Sequence, residues 1–247
     1  MKVPPEVIGY AIKGYYEGLS LKSIRDLESQ KFGFSPSISS LFRWINHYTQ
    51  CLIEKTSNTI ARVGAVWALI QSVTTIQGRN IWFYDILDFE TGLLMESRLF
   101  GKPESINFES LFLSKKFETN RLPVTILTNK SLFPILTNLE SDPKYIVSFH
   151  DETEFNTNSN IICFNREIMI RTNSLHRLKS IYSALRFTVG WLINYNYFRK
   201  SNDSHIDSPA KAAGLMCSYE SWIDVAKDPS LDPFLLGDLS IAHIYKH

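Results

Sequence analysis

The chain has 247 residues, a formal net charge of +1 and 44% hydrophobic residues. This length suits one large domain, or a small domain with a medium one, and the composition excludes a disordered chain. No apolar run approaches the roughly 18 residues of a membrane span, and the N-terminus lacks the apolar stretch of a signal peptide. Three widely separated cysteines form no CxxC pair, which argues against a disulfide framework or a zinc site and favours a cytoplasmic protein.

Charge is distributed unevenly along the chain. Residues 1–62 hold 8 Lys/Arg and 5 Asp/Glu, residues 85–162 hold 7 and 12, and residues 163–211 hold 8 and 3. Two basic segments therefore flank an acidic middle. A basic surface is the usual electrostatic feature of phosphate binding, although ordinary solvated charge explains these numbers equally well.

The first sixty residues carry the pattern of three short helices. Apolar residues at helical spacing predict a helix over 4–17, and Ser20 is placed to cap a second helix that Gly33 ends. Ser35 and Pro36 then predict the start of a third helix, with Ser as its cap and Pro in its first turn. Three helices with a tight glycine-containing turn are typical of a helix-turn-helix, and a plain three-helix bundle is the alternative.

In a helix-turn-helix the last helix enters the major groove, and its N-terminal residues reach base edges. The serine hydroxyls of the third helix can exchange hydrogen bonds with bases, and its arginine can reach guanine or phosphate. The sequence therefore predicts a DNA-binding domain over residues 1–62. The residues expected to contact DNA lie together on one side of the third helix: Ser37, Ser40, Arg43 and His47.

From Ala65 onwards the pattern changes to strands. Three consecutive segments rich in Val, Ile, Phe, Tyr and Trp predict three strands with short turns between residues 66 and 100. These three strands, together with the later helices and strands given next, predict an α/β fold with an RNase H-like mixed sheet over 63–200. A C-terminal tail is predicted over 201–247. The later predicted elements are a helix over 105–119, a strand at 124–127, a helix near 131–140, a strand at 145–149 and a long helix over 176–198.

Five segments in this order resemble DDE-class insertion-sequence transposases, whose core is retroviral integrase-like. YYEGLSLKSIRDLESQKFGFSPSISSLFRWINHY resembles their N-terminal helix-turn-helix, GRNIWFYDILDFETGLLM their second and third core strands, and LPVTILTNKS their fourth strand. NIICFNREIMIRTNSLHRLKSIYSALRFTVGWLINYNYFRK resembles their C-terminal core helices, and SPAKAAGL the short motif that follows. The resemblance implies an N-terminal helix-turn-helix, a retroviral integrase-like core, DNA as partner and at least a dimer.

The same resemblance implies three carboxylates that bind two divalent metals for phosphoryl transfer. The residues at those positions here are not acids. Ile70, in WALIQ, stands where the first Asp is expected, and Asn129, in ILTN, stands where the second is expected. Ile162 takes the place of the Glu, in a register that can slip by one or two residues, and no acid lies between Phe155 and Arg166.

Two isoleucines and an asparagine cannot hold two Mg²⁺ ions, so the resemblance implies a degenerate, domesticated transposase with no cofactor. We expect it to bind double-stranded DNA as a homodimer, with no small-molecule substrate and no membrane partner. It would act by occupancy, as a chromosome-architectural or transcription-regulatory protein of the nucleoid. Further phosphate contacts are expected from basic residues of the last core helices: Arg166, Arg171, Arg177, Lys179, Arg186, Arg199 and Lys200.

Two alternatives remain at this stage. One is a protein-interaction scaffold. The other is an active transposase or nuclease with relocated carboxylates, drawn from Asp85, Asp88, Asp151, Glu152, Glu154 and Glu167. A structural role is expected for His150, and core positions are expected for Trp191, Tyr195 and Tyr197.

Overall fold

The computed structural model describes residues 3–56, 59–102, 107–128, 132, 136, 146–149, 159–199 and 208–232. Within these residues the chain forms two compact units. The helical unit contains residues 3–15, 19–56 and 218–232, and the core unit contains residues 16–18 and the described part of 59–217. This division differs from the one expected from the sequence, because residues 218–232 join the N-terminal helices instead of forming part of a separate tail. No described helix is both long enough and apolar enough to cross a lipid bilayer.

The described elements, in chain order, are α1 (Pro5–Tyr16), α2 (Leu21–Phe32), α3 (Ile38–Thr56), β1 (Val66–Ile76), β2 (Arg79–Asp88), β3 (Leu94–Phe100), α4 (Phe108–Thr119), β4 (Thr125–Thr128), β5 (Ile146–Phe149), α5 (Ser159–Leu175), α6 (Ile181–Ile193), a π-helical turn (Asn194–Phe198), α7 (Pro209–Ala212), α8 (Trp222–Lys227) and a 3₁₀ turn (Pro229–Leu231).

The core unit is built on a five-stranded mixed sheet in the order β3-β2-β1-β4-β5. β1 pairs antiparallel with β2, and β2 pairs antiparallel with β3. β4 runs parallel to β1, and β5 runs parallel to β4. Three antiparallel strands followed by two parallel ones that return to the other side of β1 form the RNase H-like arrangement. The α/β fold class predicted from the sequence is confirmed.

The two faces of the sheet are covered differently, since side chains alternate along each strand. One face carries an apolar cluster to which β1 contributes Trp67 and Leu69, and in which Phe108 and Phe112 of α4 are also buried. The other face carries Ile70 of β1 and meets α5 and α6.

The last core helices differ from the long helix predicted over 176–198. α5 ends at Leu175, and Ser180 caps a new helix by accepting a hydrogen bond from Ser183 N. α6 buries Phe187 and Trp191, whereas its apolar residues Ile181, Tyr182 and Val189 are exposed. Because α6 is apolar on more than one side, periodicity could not decide which side is buried. Trp191 and Tyr195 are buried, as predicted.

The start of α3 also differs from the sequence prediction. The cap is Ser37 and not Ser35: the Ser37 hydroxyl accepts a hydrogen bond from Ser40 N at 3.1 Å, and the helix begins at Ile38. Pro36 therefore lies just outside the helix. The predicted cap of α2 is correct, because the Ser20 hydroxyl accepts from Ser23 N, and Gly33 ends that helix with a φ of +64°.

The C-terminal segment, residues 218–232, is tied to α1 and α3 within the helical unit. At Gly9 of α1, a Cβ atom would lie 2.6 Å from the Ile223 backbone, so only glycine permits this approach of α1 and α8. Lys55 Nζ of α3 lies 2.6 Å from the Tyr219 hydroxyl and 3.0 Å from Asp228 Oδ2. Hydrogen bonds with Tyr219 and then Asp228 raise the pKa of Lys55, and the bond from Tyr219 is the main cause of a lowered pKa at Asp228.

We predict that Ser37→Ala lowers the free energy of unfolding of the helical unit by about 1 kcal/mol, because it removes the side-chain acceptor at the N-terminus of α3. The matched control is Ser35→Ala, which should change stability by less than about 0.5 kcal/mol. Urea unfolding followed by helical circular dichroism measures both. An equal effect of the two substitutions would contradict the assignment of Ser37 as the cap.

Candidate functional site

Position 70 lies in the middle of β1, on the sheet face that α5 and α6 cover. Ile70 is buried and pairs across the antiparallel ladder with Asp85 of β2. Directly opposite residues of two antiparallel strands point to the same face, with Cβ atoms about 5 Å apart. A carboxylate of the neighbouring strand, Asp85, therefore lies beside the position expected for the first metal ligand.

Asp85 is fully buried, and its charge is matched by Arg171 of α5, which is also fully buried. Arg171 Nη1 donates to Asp85 Oδ1 and Arg171 Nη2 to Asp85 Oδ2, both at 2.7 Å. Such a bidentate pair is among the strongest hydrogen-bonded arrangements of these two side chains.

The same guanidinium also bonds to the strands on either side of β2. Nη2 donates to the Ser72 hydroxyl of β1 and Nη1 to the Ser97 hydroxyl of β3, each at 2.9 Å. Its carbon lies 4.4 Å from the centre of the Phe83 ring and 4.8 Å from that of Trp191. One side chain of α5 therefore connects three strands and α6. This finding corrects the prediction that Arg171 contacts DNA, because no part of the side chain reaches solvent.

Asp88, the second candidate for a relocated carboxylate, is also buried, and both of its carboxylate oxygens accept hydrogen bonds. Its Oδ1 accepts a hydrogen bond from Gly64 N at 2.9 Å, and its Oδ2 accepts from the Thr91 backbone at 2.9 Å and from the Thr91 hydroxyl at 2.6 Å. This pattern holds the turn between β2 and β3. Asp88 and Asp85 therefore both serve the structure of the sheet.

The third expected metal-binding position, residue 162, is not buried. Ile162 is 40% exposed, whereas its neighbour Ile161 is fully buried, so the apolar residue that faces the core is one position earlier than expected. Ile162 therefore does not add to core packing. Glu167, further along α5, is half-buried, and burial is the main cause of its raised pKa.

The other proposed positions lie outside the described residues: Asn129, His150, Asp151, Glu152, Glu154 and Lys200. In the part of the chain that the structure describes, no three His, Cys, Asp or Glu side chains come close enough together to hold a metal ion. The described residues around Ile70 do not fit the two divalent metals that the resemblance implies, because the nearby carboxylate is already neutralised by a guanidinium.

The residues predicted to read DNA on α3 divide into three groups. Ser37 and Ser40 bond to each other, with 2.9 Å between their hydroxyl oxygens. His47 donates from Nε2 to the Leu231 carbonyl oxygen at 2.7 Å, so this nitrogen is used within the helical unit, and the expected DNA contact of His47 stays a prediction. Arg43 is exposed, and the expectation that it contacts DNA remains a prediction.

The basic residues of the core unit differ in their exposure and in the contacts that their side chains make. Arg166, Arg177 and Lys179 are exposed, and the Arg177 guanidinium donates to the Gly18 carbonyl oxygen. Arg186 is partly exposed, with its guanidinium 5.7 Å from the Tyr182 ring. Arg199 stacks 4.7 Å from the Tyr195 ring and donates to its hydroxyl, which leaves it less available to a phosphate.

Sequence reasoning missed a buried acid in the helical unit. Glu28 of α2 is 3% exposed, and neither carboxylate oxygen has a hydrogen-bond partner among the described residues. Burial raises its pKa to about 7. A signal was available, because Glu28 follows Ile24 by four residues and therefore falls on the apolar side of α2. No comparable signal in the sequence predicts the contacts of Lys55 with Tyr219 and Asp228, because Lys55 lies far from both of them in the sequence.

No protein-family model matches the chain, and no curated protein matches its sequence. Several solved structures are similar to it. The HTLV-2 integrase catalytic core domain in complex with magnesium, in its trimeric form, is 12% identical, with a TM-score of 0.45, over 62% of this chain and 97% of that one. A chain of the simian T-cell lymphotropic virus intasome in complex with PP2A regulatory subunit B56 gamma is 9% identical, with a TM-score of 0.46, over 87% and 74%.

The Mos1 Strand Transfer Complex is also similar, with 8% identity and a TM-score of 0.35 over 87% of this chain and 94% of that one. The RNase H-like arrangement of this protein is shown by the strand order and strand directions of its own sheet.

We predict that Arg171→Met lowers the free energy of unfolding of the core unit by about 3–5 kcal/mol, because it leaves Asp85 buried without a counter-charge. The double variant Arg171→Met with Asp85→Leu should recover most of this loss, since apolar groups can replace a buried ion pair at little cost. Arg166→Met on the exposed side of α5 is the control and should change stability by less than about 0.5 kcal/mol. Denaturant unfolding tests all three. A double variant no more stable than the single one would contradict this account.

We predict that Glu28→Gln stabilises the helical unit at pH 8 and not at pH 5. The pKa of Glu28 is about 7 in the folded protein and about 4.3 in the unfolded chain. The folded state therefore holds this proton more tightly, and wild-type stability falls as pH rises from about 4.3 to about 7. At pH 8 the variant should be more stable by on the order of 2 kcal/mol.

Urea unfolding at pH 5 and pH 8 measures this difference, with Asp26→Asn on the exposed side of α2 as the control. The Asp26 variant should keep the wild-type pH dependence. If Glu28→Gln also keeps the wild-type pH dependence of stability, the charge on Glu28 is not the cause of that dependence.

Proposed function

We propose that this protein is a catalytically inactive, transposase-derived DNA-binding protein that acts by occupying double-stranded DNA, in chromosome architecture or transcription regulation. The observation that carries the proposal is the pairing of Asp85 with Arg171 beside Ile70. At the place where the resemblance puts the first metal-binding acid, this chain has a hydrocarbon side chain, a carboxylate bonded on both oxygens and a buried guanidinium.

The charges at this position oppose divalent-metal binding. A two-metal site needs several anionic oxygens that converge on the ions. The Asp85 oxygens are already shared with Arg171, so this buried pair is neutral overall and offers no free anionic oxygen to a dication next to Ile70. Loss of strand-transfer chemistry is the consequence that we propose.

Exposed cations support the DNA-binding half of the proposal. Arg43 lies near the N-terminal end of α3, where the last helix of a helix-turn-helix contacts DNA. Arg166, Arg177 and Lys179 are exposed on the core unit. Each can add a phosphate contact, and such contacts supply most of the affinity of non-specific binding. The homodimer expected from the resemblance stays part of this proposal, to be tested by analytical ultracentrifugation.

An active enzyme with relocated carboxylates is less well supported. Asp85 and Asp88 are both bonded within the sheet, and Glu167 is the one remaining candidate among the described residues. The other candidates, Asp151, Glu152 and Glu154, lie outside those residues.

The proposal predicts duplex DNA binding whose affinity falls with salt and no divalent-metal-dependent nicking. The logarithm of the binding constant should fall with the logarithm of salt concentration with a slope of about −0.9 per phosphate neutralised. Arg43→Ala should weaken binding and reduce the slope by about 1 if Arg43 contacts a phosphate. Fluorescence anisotropy with wild-type protein and Arg43→Ala measures both, with Arg79→Ala on the sheet as a matched control.

Two outcomes would contradict the proposal in different ways. Nicking of supercoiled plasmid in Mn²⁺ or Mg²⁺, abolished by EDTA, would show an active nuclease. No salt-dependent binding to any duplex would leave the protein-interaction scaffold as the better explanation.

A further inference from the structure

The N-terminal turns of α3 present apolar side chains where polar ones were expected to read DNA. Ile38 is 39% exposed and Phe42 is 46% exposed. They are four residues apart, so they lie on the same side of the helix, one turn above the other. Leu41 and Ile45, on the adjoining strip of α3, are buried in the core of the helical unit, so Ile38 and Phe42 form the exposed edge of the apolar side of this helix.

Two further residues extend this exposed side of α3. Arg43 is exposed beside Phe42, and Asn46, one turn beyond Phe42, is partly exposed. The hydroxyls of Ser37 and Ser40 are used at the N-terminus of the helix, in the cap and in their bond to each other. The exposed and partly exposed side chains of this side of α3 are two apolar groups, one cation and one amide, which we call the α3 surface: Ile38, Phe42, Arg43 and Asn46.

We propose that the α3 surface reads A·T base pairs in the major groove, with Ile38 and Phe42 against the 5-methyl groups of thymine. This inference rests on the proposed function and deepens it by naming the base pair. Thymine methyl is the apolar group that the major groove displays, and apolar side chains such as Phe recognise it. Asn46 belongs to the residue type that bonds the N6 and N7 edge of adenine, so both kinds of side chain select the same base pair.

Charge and spacing favour DNA as the occupant of this surface. Arg43 supplies a cation beside the apolar pair, which suits a polyanion better than a second apolar surface. Four residues of helix rise about 6 Å, and successive base pairs are about 3.4 Å apart. Where α3 runs along the groove, Ile38 and Phe42 are spaced to reach methyl groups two base pairs apart, which is the spacing of thymines along one strand of an alternating A·T duplex.

The test changes the methyl group on the DNA and leaves the protein intact. Four 24-base-pair alternating duplexes are compared by fluorescence anisotropy at one salt concentration. They contain deoxyadenosine with thymidine, deoxyadenosine with deoxyuridine, deoxyguanosine with deoxycytidine, and deoxyguanosine with 5-methyldeoxycytidine. Within each pair of duplexes the base pairing is the same, and only the major-groove methyl differs.

We expect removal of the thymine methyl to weaken wild-type binding about fourfold for each methyl contacted, and addition of the cytosine methyl to strengthen it. Phe42→Ala should lower the thymidine-to-deoxyuridine ratio about fourfold, leaving the part that Ile38 contributes, and Phe42→Leu should lower it less. Leu27→Ala is the matched control: Leu27 lies on α2 of the same unit and is 49% exposed, so its truncation should leave the ratio unchanged.

Three results would overturn this inference. Equal wild-type affinity for the thymidine and deoxyuridine duplexes, with salt-dependent binding to both, overturns it and leaves the proposed function standing. A ratio that Phe42→Ala does not change, together with a shift in oligomeric state by analytical ultracentrifugation, makes the α3 surface a contact between protein copies. Absence of salt-dependent binding to all four duplexes overturns the proposed function, and this inference with it.

Discussion

The core unit depends on one buried ion pair. The Arg171 guanidinium joins Asp85 on β2, Ser72 on β1 and Ser97 on β3, and it lies between the rings of Phe83 and Trp191. It thus links α5 and α6 to three strands on this face of the sheet. A buried pair of this kind adds little stability over an apolar replacement, but it fixes register, since a misplaced carboxylate or guanidinium would be buried without a partner.

The Asp85–Arg171 pair also bears on why a neutral residue stands at an expected catalytic position. A cluster of carboxylates without metal ions repels itself, so a fold that has lost its metals is favoured by replacing acids with neutral groups. In the function that we propose, Ile70 is such a neutral group on β1, where it adds a buried hydrocarbon side chain next to Asp85. In the function that we propose, the positive charge at the centre of this sheet face comes from the protein itself.

Sequence patterns identified most of the fold and part of the site. Strands β1 to β3 and their order followed from runs of β-branched and aromatic residues between turns, and Ile70 was located by the Trp67 motif. Arg171 was misassigned, since an arginine in a basic segment is exposed by default and only the distant Asp85 makes its burial possible. The cap of α3 was assigned to Ser35 instead of Ser37, because several serines near one proline satisfy the same local rule.

The ties between α3 and residues 218–232 bear on how the chain is made. Helices α1 to α3 are synthesised well before the segment that carries Tyr219, Asp228 and Leu231, and the whole core unit lies between them in the sequence. Domains fold in order as they leave the ribosome when their contacts are local. The helical unit therefore reaches its final packing last, after the sheet has formed, even though its first helices emerge before any strand.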